Sequence, residues 1–462
     1  MSQSHFDFQD DPLLVRPARR QKGRRRDHAQ YGAATFVALS AVLAAIPNGL
    51  NRPALWLVFG VLVAVSLMAL ILLGRRSDRK ELAFKGLPLR LMGVAAIVPV
   101  WAVLQAIPIF GPTLSSGSGT ISLVPDASLI AALRFVIYIQ FFYLAVVAGV
   151  STDRSLRIVW FIFLGIVGHA VWSLLALNLL GDINLWQTKT AYLGVATGTY
   201  VNRNAFAVFL AMGSCLGLAL VAKPASQRDR IRPITDRALT FAVGLAALML
   251  IWLALVETQS RLGIASAAIG SVITFAVLRF GEFGLAAKPL AIGLGLGLAL
   301  LSAIGMVAAP ELVERSLFIG EDALNRATAY RFTLELISQR PFIGYGFDNF
   351  RPAFEAVHRP PLSGDFYWDR THSTYLSNWT ELGVLVGSVP VLLGLMICHA
   401  LARAAFIPSK ARPLYAAALG CLGVAGLHSI ADFGFEIPAN TILLIAITGL
   451  ALARVRSNER GA

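Results

Sequence analysis

Apolar stretches of about 20 residues, the length a helix needs to cross a bilayer, recur along the whole chain. In hydrocarbon a chain must satisfy its own backbone polar groups, so such stretches commit it to α-helices packed side by side. Composition agrees: 56% of the 462 residues are hydrophobic and 14% are charged, against roughly 25% charged in soluble domains. The expected fold is therefore an all-α integral membrane protein.

The apolar windows predict about twelve spans: 32–48, 53–74, 88–108, 127–150, 156–180, 204–222, 238–256, 261–279, 289–308, 375–402, 413–430 and 438–453. The chain then divides into a basic tail (1–31), nine spans (32–308), a large loop (309–374), three spans (375–453) and a short tail (454–462). The long basic leader exceeds that of a secretory signal, so the first span is expected to be an uncleaved anchor.

A net charge of +14 could suggest nucleic acid, but the Lys and Arg lie in short clusters between apolar runs, as topology determinants do. With the N-terminus inside, 28 of the 40 Lys and Arg fall on or at the edges of inside segments and 11 on outside ones, with Arg134 alone deep within a span. Seven of those 11 lie in the long loop, where the positive-inside rule has little force. Both termini are thus expected in the cytoplasm and the large loop on the far side. Cys215, Cys398 and Cys421 all sit within apolar runs and read as small buried hydrophobes, with no disulfide or zinc framework.

Segment 309–374 is too varied to be disordered. Residues 321–339 read as a helix, with acids in its first turn and Pro341 just past its end, as the helix dipole and stop signals favour. A glycine-punctuated turn, Gly344-Tyr345-Gly346-Phe347, follows.

Polar groups beside spans are expensive and so mark function or a specific structural need. Asn202-Arg203-Asn204 opens the sixth span; it suits a helix cap with an interfacial arginine, or a substrate contact. Glu257-Thr-Gln-Ser-Arg261 breaks two apolar runs. It is a turn with a Glu257–Arg261 pair or an arginine fork aimed at phosphate, and an outside arginine at membrane level favours the second. Arg326 and Arg331 lie on the loop helix, where Asp322–Arg326 and Arg331–Glu335 are i,i+4 pairs; the acid-first order suits Arg326 to a surface bridge more than Arg331. Arg370-Thr371-His372-Ser373-Thr374-Tyr375 enters the tenth span and makes His372 a general-base candidate. Asp432-Phe433-Gly434 lacks the surrounding loops of a kinase, Gly344-Tyr345-Gly346 lacks the rest of a P-loop, and no motif offers a metal site.

Taken in order, the Ser260-Arg261 break, the Arg331 helix, Pro341…Gly344-Tyr345-Gly346, Thr371-His372-Ser373-Thr374-Tyr375…Glu381-Leu382-Gly383 and His428-Ser-Ile-Ala-Asp432-Phe433 resemble the O-antigen ligase and O-unit polymerase superfamily, most firmly over about 200–450. The family usually carries Asn after the histidine, where this chain has Ser373. The resemblance implies a GT-C type glycosyltransferase of the inner membrane, with its active site at the periplasmic face and without metal or cofactor. It implies an undecaprenyl-diphosphate-linked glycan donor, a sugar-hydroxyl acceptor, and polysaccharide assembly proteins as further candidate partners. By position, Arg261 and Arg331 would hold the diphosphate and His372 would activate the acceptor. Arg203, Arg326, Tyr345, Arg370, Tyr375, His428 and Asp432 are the candidate substrate contacts. The terminal His428…Asp432 pattern leans towards a polymerase; a ligase acting on a lipid or protein acceptor, and a transporter or flippase, are the alternatives.

Overall fold

The computed structural model describes residues 18–73, 86–108, 119–185, 188–222, 234–279, 319–364 and 367–458. Among them there are fourteen α-helices and no β-strand. The first eight are α1 (Ala18–Leu43), α2 (Pro53–Leu73), α3 (Leu87–Ala106), α4 (Pro125–Ala148), α5 (Thr152–Asn178), α6 (Arg203–Val221), α7 (Ile234–Glu257) and α8 (Arg261–Arg279). After the undescribed 280–318 come α9 (Ile319–Gln339), α10 (Phe350–Glu355), α11 (Thr374–Gly387), α12 (Val389–Phe406), α13 (Arg412–Ala431) and α14 (Pro438–Asn458).

Ten of the described helices are long and apolar enough to cross a membrane, and Gln30–Leu43 within α1 is a shorter apolar stretch. The chain is a multi-pass helical membrane protein. The expected span at 289–308 lies outside the described residues.

Helix α6 sits at the centre, with Ala205–Gly217 buried throughout. Its small residues admit neighbours closely: Gly213 faces Ile166 of α5 and Ile251 of α7, while Gly217 faces Phe163 of α5. Helix α8 packs chiefly on α13 and α6. A methyl group added at Gly270 would lie 2.9 Å from the Gly420 carbonyl, and one at Gly420 would lie 2.7 Å from the Gly270 carbonyl. This small-residue contact lets two helix backbones touch, which is how helices associate where lipid supplies no hydrophobic drive. Cys215 borders the crossing; it and Cys421 are buried, and all three cysteines are free thiols.

The expected single span at 375–402 is a correction. It is two helices, α11 and α12, and Gly383 within α11 leaves the helical region at φ 76°, ψ 161°, a conformation open essentially to glycine alone. Into this break docks the glycine turn of the loop. Tyr345 N–H donates to the Thr380 carbonyl (3.0 Å), Gly346 N–H to the Glu381 carbonyl (3.0 Å), and Val384 N–H to the Pro341 carbonyl (2.7 Å). From α3, Gln105 Nε2 donates to the carbonyls of Ile343 (2.7 Å) and Glu381 (2.9 Å), and Trp101 Nε1 donates to Leu382 (3.0 Å). A broken helix at membrane depth is tolerated only where protein groups satisfy the freed backbone, and here they do.

The rest of the loop has its own core: Phe332 and Leu336 from α9, Phe350 and Phe354 from α10, and Tyr345, Val357 and Leu362 between and beyond them. Each fully buried phenylalanine contributes on the order of 1.5–3 kcal/mol. The loop is a folded lid over one end of the bundle.

Candidate functional site

At that end, α6 begins beside the end of α13. Asn202 caps α6, its Oδ1 accepting from the N–H groups of Asn204 (2.7 Å) and Ala205 (3.1 Å). The cap turns Asn204 towards Asp432, and its amide donates to the carboxylate at 2.7 Å. Asp432 is 1% exposed, and the wholly buried His428 stands one helical turn back, 4.0 Å away. Burial pushes the Asp432 carboxyl up to about 6, against the pull of the Asn204 amide and the Arg326 guanidinium. Among the described residues, neither ring nitrogen of His428 nor Asp432 Oδ1 has a hydrogen-bond partner.

Arg326 reaches over from the loop helix to donate to the Ala431 carbonyl, 3.2 Å away. Its neighbourhood is shared: Tyr192 feels the charges of Arg203, Asp432 and Arg326, and burial raises its phenol pKa. The Arg203 guanidinium lies over the Tyr192 ring at 5.8 Å.

His372 joins this group through the turn that carries it. Its backbone is left-handed at φ 57°, costly for a residue with a side chain, and the surroundings hold it there. Tyr330 Oη donates to the His372 carbonyl (2.9 Å), and the ring packs edge-on to Phe433 (5.2 Å) and Trp368 (6.0 Å). The flanking hydroxyls fasten the turn to α13: Ser373 Oγ donates to the Ser429 carbonyl (3.4 Å) and Thr374 Oγ1 to the Asp432 carbonyl (3.2 Å). Ser373 is also the N-cap of α11, accepting from Leu376 N–H. Serine and asparagine cap helices almost equally well, so Ser373 can do here what the asparagine of the resembled pattern would do.

Arg203, Arg326, His372, His428 and Asp432 thus come together. Arg261 opens α8 at the same end of the bundle, where Ser260 Oγ accepts the Gly263 N–H at 3.2 Å and Gln259 is left-handed at φ 51°; its side chain is exposed. Arg331 is exposed too, with its guanidinium over the Phe332 ring at 5.2 Å. Glu335, its expected i,i+4 partner, pairs with Arg359 at 2.7 Å. The Asp322 side chain lies outside the described residues. The arginine read as a surface bridge, Arg326, is therefore the one that reaches the histidine–aspartate end of α13.

Three other candidates are placed differently. Tyr345 is a core residue of the lid; its hydroxyl donates to Gln339 Oε1 at 3.1 Å. Tyr375 points along a crevice in the bundle and donates to the Gly426 carbonyl at 2.8 Å. Arg370 anchors an ionic cluster that the sequence reading missed. It donates to Glu436 (2.9 Å) and Asp348 (3.2 Å), and Asp348 also faces Arg134 of α4 at 3.7 Å. Glu381 closes the cluster by accepting the backbone N–H groups of Asp348 (2.9 Å) and Phe350 (3.2 Å). Burial works against charge here. Even so, Arg134 and Arg370 outweigh it and hold the Asp348 carboxyl below its ordinary range. For Glu436 burial prevails over Arg370, and its pKa is raised. A charge within or beside an apolar run, as at Arg134, Glu381 and Glu436, was the available signal.

Asp348, Arg370 and Glu381 of the cluster line a cavity of about 480 Å³ that Tyr192 and Phe433 also line. On its other side lies a mostly apolar crevice of about 360 Å³ between α4, α11, α12, α13 and α14. Among the described residues no group of three His, Cys, Asp or Glu side chains is arranged to hold a metal ion.

These features define a polytopic membrane protein with a polar, arginine-bearing site under a folded lid. Residues 246–391 match the family model described as O-Antigen ligase. The match covers less than half of the chain, and over that segment the chain is similar to the O-antigen ligase and polymerase superfamily. The matched segment contains Arg261, Arg326, Arg331, Arg370 and His372; Arg203, His428 and Asp432 lie outside it. No curated protein matched the chain when the two were compared.

Proposed function

We propose that the protein polymerises undecaprenyl-diphosphate-linked oligosaccharide units at the periplasmic face of the inner membrane, both termini being cytoplasmic, by metal-independent inverting transfer. The observation that carries this reading is the fastening of the His372 turn to the end of α13, beside Asp432 and the incoming Arg326. A candidate base and a cationic group thus occupy one place, at the level where the spans begin.

In this reading the acceptor hydroxyl oxygen attacks the anomeric carbon from the face opposite the diphosphate. The new C–O bond forms as the bond to the diphosphate oxygen breaks, with its electron pair leaving on that oxygen. An imidazole nitrogen of His372 takes the hydroxyl proton. Charge grows on the leaving diphosphate, and guanidinium forks matched to phosphate geometry stabilise it most in the transition state. Arg261 and Arg331 supply these forks from the rim, and Arg326 and Arg203 from within.

Replacing Arg261 or Arg331 singly is expected to lower transfer by about 10²–10³, and His372→Ala by about 10²–10⁴, with protein levels unchanged. The measurement is the lipid-linked pool and the polymer made by cells carrying each variant. Single lipid-linked units should accumulate; full polymer output from His372→Ala would remove the base from the mechanism. The family description favours one second reading, ligation of a finished chain to another acceptor, which would accumulate long lipid-linked chains instead.

A further inference from the structure

The cavity beside the ionic cluster has a chemistry that the Arg261–Arg331–His372 assignment leaves unused. Its walls come from distant parts of the chain: Asn48 and Asn51 between α1 and α2, Tyr192 ahead of α6, Arg351 on α10, Asp369 before the His372 turn, and Phe433 after α13. At about 480 Å³ it falls within the roughly 300–1,000 Å³ of small-molecule sites.

Each of its two arginines is paired with a carboxylate. Arg351 pairs with Asp369 at 3.2 Å, Arg370 pairs with Asp348 at 3.2 Å, and Glu381 adds a further carboxyl group to the lining. A diphosphate entering here would meet carboxylates and be repelled. A neutral polyol would not, because paired guanidinium and carboxylate groups offer fixed donors and acceptors side by side, suited to neighbouring hydroxyls. The two asparagines add amides that both donate and accept, and the Phe433 and Tyr192 rings offer apolar faces for the C–H side of a sugar.

Position completes the argument. Phe433 lines the cavity and touches the His372 ring at 5.2 Å, while Tyr192 lines it and lies under Arg203. A molecule filling the cavity has one end at Phe433, the ring that packs against the candidate base, and one side at Tyr192, the ring beneath Arg203.

We propose that this cavity is the acceptor subsite and takes the terminal sugars of an uncharged glycan. The proposal rests on the transferase reading above and extends it to the acceptor's chemistry. The end of the chain that receives the next unit carries hydroxyls and no carboxylate or phosphate.

The test uses full-length protein in lipid nanodiscs and, as probe, the oligosaccharide released by mild acid from lipid-linked units of cells lacking the protein. Calorimetry should show it binding the wild type. Arg351→Ala and Asp369→Ala, whose side chains are half or more exposed and whose loss should not unfold the protein, should each weaken binding by about tenfold or more. Asn51→Ala is a second, uncharged probe of the same wall and should weaken it too. Mass spectrometry of the oligosaccharide should find a neutral sugar at its non-reducing end. Unchanged binding in all three variants, or an acidic sugar at that end, overturns the proposal. The two readings fail separately. Lost polymer in His372→Ala cells with unaltered binding in the cavity variants removes the subsite alone, and intact polymer in those cells removes the mechanism.

Discussion

Asp432 shows how much one residue can register of its surroundings. Its ordinary pKa of 3.8 rises to about 6 because burial disfavours the charged form. Below the lower value the carboxyl is protonated whether the chain is folded or not, and burial of the charge costs nothing. Between 3.8 and about 6 the unfolded chain ionises while the folded carboxyl stays protonated, so stability falls as pH rises across that window. Above it the buried anion costs the full amount of about 3 kcal/mol. Asp432→Asn keeps an oxygen for the Asn204 amide and never ionises. Its melting temperature in detergent should exceed that of the wild type at pH 8 and converge with it by pH 4; a gap independent of pH would contradict the burial argument. Arg326 teaches the complementary lesson. Spacing along a helix pairs it with Asp322, but its hydrogen-bond partner, the Ala431 carbonyl, is 105 positions away and invisible to any local period.

Among the elements, α11 separates what sequence can and cannot convey. That an apolar segment enters the membrane near Tyr375 follows from composition alone. That it breaks at Gly383 does not, since hydropathy registers side chains and the break is written in backbone bonds to the docked turn at 341–346. The cap at its start is legible in type: a hydroxyl residue just ahead of an apolar run. Ser373→Ala should lower thermal stability by about 1 kcal/mol, while Ser373→Asn should stay within a few tenths of wild type. Equal losses for the two variants would show that the hydroxyl's contact with Ser429, and not the cap, is what matters.

For the molecule as a whole, the sequence pattern predicted a helical bundle with one large loop containing a helix. It did not foresee that the lid is stitched to the bundle at Gln105, Trp101, Arg134 and Glu381. Gln105 reads as an unremarkable polar residue near the end of a span, yet its amide is fully buried and holds two carbonyls. Gln105→Ala strands the Ile343 carbonyl, at about 1–3 kcal/mol, while the Glu381 carbonyl keeps the Gly346 N–H, and it should speed limited trypsin cleavage within the lid without shifting cleavage elsewhere. Unaltered lid cleavage would mean that the remaining stitches suffice.

The stitch at Gln105 also sets an order of manufacture. Its two acceptors lie 238 and 276 positions further along the chain, so α3 is made and inserted long before either exists. The break at Gly383 is likewise unsupported until the turn at 341–346, which emerges first, has folded back. The joint can close only when about four-fifths of the polypeptide has left the ribosome. It is therefore a late step of biogenesis, at which the insertion machinery must hand over a helix that the rest of the protein is already shaped to receive.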